Sequence, residues 1–103
     1  MPPALVITMS PSYKADTVLF YGHLDKQPPL NNEWSQDRSP YKAKIEGDKL
    51  YGRGVSEGAV NFIATVLMLR DIVNQEERQH NRFVLLYETD KHSGSINVLQ
   101  YFQ

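Results

Sequence analysis

Residues 82–95 read RFVLLYETDKHSGS: five consecutive apolar residues, Phe83 to Tyr87, then a polar tail carrying Glu88, Asp90, Lys91 and His92. An apolar run without alternation is what a strand buried on both faces requires, as in the middle of an α/β sheet. The polar tail then falls where such a strand ends, the edge at which α/β sheets bind ligands.

Upstream of this strand, apolar residues recur at Ala59, Val60, Phe62, Ile63, Val66, Leu67, Leu69, Ile72 and Val73. That spacing predicts a helix from Val55 or Ser56, with Ser56 as its N-cap and Glu57 in the first turn, where a carboxylate suits the helix dipole. NQEERQHN, 74–81, is a polar connection in which His80 is a solvated side chain. Two earlier apolar runs, ALVITM from Ala4 and TVLFYGHL from Thr17, read as buried strands. Residues 26–40 form an irregular loop anchored by Trp34, and YKAKIEGDKLYG folds into a hairpin near 42–52 about Gly47-Asp48. The terminal SGSINVLQYFQ has helical spacing with Ser93 or Ser95 as cap. The expected order is β-β-hairpin-α-β-α, an α/β fold with a mostly parallel sheet flanked by helices, and its continuation past residue 103 is expected because the last apolar elements lie so near the end.

A chain of 103 residues with 41% hydrophobic content bounds the unit to one domain or less. Eleven basic against twelve acidic residues give a net charge of -1, which favours neither nucleic acid nor anionic membrane as a partner. The absence of cysteine excludes disulfides and thiolate metal sites, so a metal would be held by His, Asp and Glu. The N-terminus has no leader pattern, and no run approaches the roughly 18 apolar residues of a membrane span, so a soluble cytoplasmic protein is expected.

Three places set ionisable groups at strand or helix ends: His23 with Asp25, Glu57, and Glu88 with Asp90 and His92. If the strands are parallel neighbours these converge on one rim, and imidazoles with carboxylates suit zinc. His23-x-Asp25 has a mechanical sense, one ring nitrogen on a metal and a carboxylate on the other. It also has a plain sense, two polar residues in a proline-containing turn.

Taken in order, YGHLDKQP, Trp34, Pro40-Tyr41, GDKLYGRG, a core helix and FVLLYETDKHSGS resemble the dinuclear zinc metallopeptidases that include cytosolic dipeptidase, carnosinase, acetylornithine deacetylase and glutamate carboxypeptidase. The resemblance covers residues 4 to 102. It implies that His23 binds zinc, that Asp25 orients it, and that Glu57 stands where the family has a bridging aspartate. The family's Glu-Glu-x-Gly-Ser becomes KHSGS, so Lys91 occupies the position of the general base and His92 that of a carboxylate ligand. A lysine is a cation at neutral pH and cannot take a proton unless its surroundings lower its pKa strongly.

The resemblance further implies hydrolysis of dipeptide or N-acyl amino acid amide bonds by zinc-activated water, with a small peptide or acyl-amino acid as substrate. Residues 1–103 would be a partial catalytic domain, without the lid or dimerisation domain and the later ligands of longer family members. The chain alone is then expected to be inactive, and to self-associate or need a partner chain. A different class of reading is a degenerate, non-catalytic relative serving as an interaction module. The last is that the glycines of GRG and SGS are only turns and caps.

Overall fold

The computed structural model describes residues 2–11, 14–75 and 81–102. Six regular elements follow in chain order: strands β1 (Ala4–Met9), β2 (Thr17–His23), β3 (Lys44–Glu46) and β4 (Lys49–Tyr51), helix α1 (Ala59–Val73) and strand β5 (Arg82–Glu88). The apolar run at 83–87 does become the central strand, in a sheet of order β1-β5-β2. β5 pairs parallel with β2, setting His23 beside Glu88, and antiparallel with β1, setting Ala4 beside Glu88. The fold is thus α/β as expected, but the sheet is mixed rather than mostly parallel. Apolar runs specify burial, and strand direction is fixed by the connections.

One face of the sheet carries Ile7 and Met9 of β1, Val18 and Phe20 of β2, and Phe83, Leu85 and Tyr87 of β5, packed with Phe62, Leu69 and Ile72 of α1. Leu69, Leu85 and Tyr87 are each about 1% exposed, and burying side chains of that size stabilises by roughly 1.5–3 kcal/mol each. Phe62 and Tyr87 meet edge to face at 4.9 Å between centroids. The opposite face is open at its margins, where Val6, Leu19 and Tyr21 are 57%, 54% and 55% exposed. The Cα extents, 55 × 37 × 13 Å, fit a slab with one helix layer on one sheet.

β3 and β4 form the expected hairpin, with Gly47 at φ 59° in its two-residue turn. Trp34 anchors the preceding loop by donating its indole N–H to Pro29 O at 2.8 Å. Two local expectations are corrected. α1 begins at Ala59, and no side chain caps it, so Ser56 is not its N-cap. Residues 52–58 are turns instead, since Gly58 presses against β2: a Cβ there would lie 1.9 Å from His23 O. The end of the chain is a 3-10 turn over Val98–Phe102, where an α-helix was expected. His80 lies outside the described residues, and among those described no helix is long and apolar enough to cross a membrane.

Candidate metal centre

β2 ends at His23, the turn before α1 presents Glu57, and a 3-10 turn over Lys91–Ser93 after β5 presents His92. One donor atom from each of His23, Glu57 and His92 lies within 4.8 Å of the other two. The imidazoles stand edge to face, 5.0 Å between centroids at 85°. His92 Nε2 is 3.5 Å from Glu57 Oε2, buried, and without a hydrogen-bond partner. An orphaned ring nitrogen facing a carboxylate and a second imidazole is the donor set that a borderline cation such as Zn2+ accepts, so the residues fit a metal.

The nitrogens turned away from the cluster are held. His23 Nδ1 is 3.1 Å from the carbonyl oxygen of Asp25 and 3.5 Å from its Oδ1. A proton on Nδ1 donated to that carbonyl leaves Nε2 as the lone-pair nitrogen. Asp25 Oδ2 accepts the backbone N–H of His92 at 2.9 Å, so one carboxylate ties the end of β2 to the turn after β5. Burial works against its charge, yet hydrogen bonds from the N–H groups of His92, Lys91 and Asp25, together with the nearby His92, hold the carboxyl below the usual carboxylate range. Gln27 Nε2 lies 2.6 Å from His92 Nδ1, a contact across 65 positions for which the sequence carries no local signal.

Other sequence candidates do structural work. Glu88, about 1% exposed, accepts from the Tyr21 hydroxyl and from Ser95 Oγ. Hydrogen bonding to Glu88, then burial, raises the Tyr21 hydroxyl above its ordinary pKa. Asp90 Oδ2 accepts from Asn97 Nδ2 at 2.8 Å, and the Asp90 carbonyl accepts from the N–H groups of Ser93 and Ser95. Lys91 is exposed.

The model of peptidase family M20/M25/M40 matches residues 19–100, a span that contains β2 from Leu19 onward, the hairpin, α1, β5 and all three clustered side chains. The chain belongs to this family. Among M20 relatives, the Beta-Ala-His dipeptidase of Mus musculus is 40% identical over 103 residues, covering 93% of this chain and 19% of its own. The acetylornithine deacetylase of Dictyostelium discoideum is 50% identical over 97 residues, covering 79% of this chain and 21% of its own. An M20 family metallo-carboxypeptidase from Sulfolobus solfataricus superposes with a TM-score of 0.83 at 30% identity over 96% of this chain and 22% of its own. Human carnosine dipeptidase 1 superposes at 0.82 with 25% identity over 97% and 21%. The chain thus spans about a fifth of the length of these relatives.

Proposed function

We propose that this chain is the metal-holding part of a catalytic domain whose reaction is hydrolysis of the amide bond of a dipeptide or N-acyl amino acid. The observation that carries the reading is the convergence of His23, Glu57 and His92 donor atoms within 4.8 Å at the end of the β2-β5 pair. The named activities of the M20 relatives, a dipeptidase and a deacetylase of an acylated amino acid, supply the substrate class.

Zinc is the metal assigned, and bound there it would polarise a water for attack on a carbonyl. His23 and His92 supply neutral nitrogens and Glu57 a carboxylate, while Asp25 fixes the His23 ring and the His92 main chain. No residue of the cluster is placed to remove a proton from an attacking water without giving up its role as ligand. Lys91, at the base position, is exposed. The chain alone therefore binds metal without hydrolysing peptides.

A calorimetric zinc titration of the chain beside His23→Ala tests the centre. Specific binding that His23→Ala abolishes supports it, and no binding by a folded wild-type chain refutes it. The second reading, a non-catalytic relative acting as an interaction module, draws on the exposed Val6, Leu19 and Tyr21 and on Lys91. It expects self-association or a partner chain over that face. A monomer at high concentration that binds no anilinonaphthalene sulfonate would sink it, as would dipeptide hydrolysis recovered by Lys91→Glu with His92→Glu in a full-length context.

A further inference from the structure

His92 is held at its main chain and at one ring nitrogen, while its other ring nitrogen is left without a partner. Its backbone N–H is held by Asp25 Oδ2, its Nδ1 faces Gln27 Nε2 at 2.6 Å, and its Nε2 is buried toward Glu57 Oε2 with no hydrogen bond of its own. We propose that Gln27 sets which nitrogen of His92 carries the proton, and thereby whether Nε2 can be offered to a metal. The proposal rests on His23, Glu57 and His92 being a metal centre.

The need for such a residue follows from the chemistry of the ligand. An ionised carboxylate presents two acceptor oxygens and requires no control of tautomer. A neutral imidazole presents one N–H and one lone pair, and it binds metal through Nε2 only when the proton sits on Nδ1. The group facing Nδ1 therefore decides the matter, and here it is an amide with a donor end and an acceptor end. With Gln27 Nε2 toward His92, the amide donates to a bare Nδ1 and the ring proton stays on Nε2, pointing at Glu57. Turned by half a rotation, Gln27 Oε1 accepts from Nδ1–H and the Nε2 lone pair faces the cluster. One proton leaves Nε2 and one is taken up at Nδ1, so the ring stays neutral and the turn of the amide is linked to metal binding.

His23 has no such choice, since its Nδ1 faces the carbonyl oxygen of Asp25, which can only accept. The two imidazoles thus differ: His23 is set for metal by the main chain, and His92 by a reversible side chain. Gln27 is a positioning residue, acting through His92.

The test is imidazole 1H–15N correlation NMR of His92 in the 103-residue chain and in Gln27→Ala and Gln27→Glu, with a zinc titration of each. Metal-free wild type should carry the His92 proton on Nε2 and move it to Nδ1 on adding zinc. Gln27→Glu, which only accepts, should place it on Nδ1 without zinc and retain tight binding. Gln27→Ala should weaken binding by about 10-fold or more, and that loss should vanish in a His92→Glu background. A His92 tautomer indifferent to both Gln27 substitutions overturns the proposal, as does equal zinc affinity in all three chains. A tautomer that follows Gln27 in a chain that binds no zinc overturns the metal centre itself and leaves Gln27 only holding a ring.

Discussion

Asp25 reaches both histidines: its Oδ2 accepts the His92 backbone N–H at 2.9 Å, and its carbonyl oxygen lies 3.1 Å from His23 Nδ1. The turn after β5 is thereby fastened to the end of β2, and the spacing of the two imidazoles depends on it. Asp25→Ala should lower stability by about 1–3 kcal/mol, because a partly buried N–H loses a charged acceptor, and should weaken zinc binding by about 10–100-fold. Urea unfolding and calorimetry read the two effects. Asp25→Asn keeps an oxygen for the His92 N–H and should retain most of the stability.

Gly58 sits where a Cβ would lie 1.9 Å from His23 O. Gly58→Ala should cost about 1–3 kcal/mol by overpacking, and each kcal/mol should lower the melting temperature by about 4–8 °C. Since the atom struck is the carbonyl of a candidate ligand, zinc affinity should fall with stability. A variant that melts and binds like wild type would show that the approach is looser than this.

Tyr21 donates to the buried carboxylate of Glu88. Tyr21→Phe leaves Glu88 with the Ser95 hydroxyl as its remaining donor among these contacts and should destabilise by about 1–3 kcal/mol. The Tyr21 hydroxyl titrates higher folded than unfolded. Its contribution should therefore be complete below the ordinary phenol value and be lost only as pH rises through the folded one. The difference in stability between wild type and Tyr21→Phe, followed from neutral to strongly alkaline pH, checks the sign.

The loop around the hairpin should tolerate acid. Hydrogen bonds from Lys44 and then Ser35 hold the Asp37 carboxyl down at about 2, and Lys44 and Arg38 lower Glu46. The stabilisation from Asp37 is complete above its unfolded value and disappears as pH falls through about 2. A carboxyl 13C titration of Asp37 should show that midpoint, and Lys44→Ala should move it upward.

How far the fold can be read from the sequence differs element by element. β2, β5 and the hairpin at Gly47 are legible because continuous apolar runs and a glycine turn are local signals. The start of α1 is not, because Val55 and Ser56 continue the helical pattern while the contact of Gly58 with His23 breaks it. The antiparallel direction of β1 is likewise invisible in ALVITM. His23, Glu57 and His92 could be picked out by type and order, and they do meet. Glu88 Oε1 and Asp90, chosen by the same logic, are taken up by Tyr21, Ser95 and Asn97, partners that only the folded chain supplies.

Among the described residues, the sheet order β1-β5-β2 makes β5, the latest of its three strands, the neighbour of both earlier ones. During synthesis β1 and β2 therefore emerge without a partner and stay unpaired until residues 82–88 leave the ribosome. Pairings across that many residues close slowly, and exposed apolar strands are prone to aggregate while they wait. His92 follows β5, so a metal cannot be gripped before the sheet has closed. The nascent chain should depend on chaperones until β5 and the turn bearing His92 appear, and should then commit to sheet and centre together.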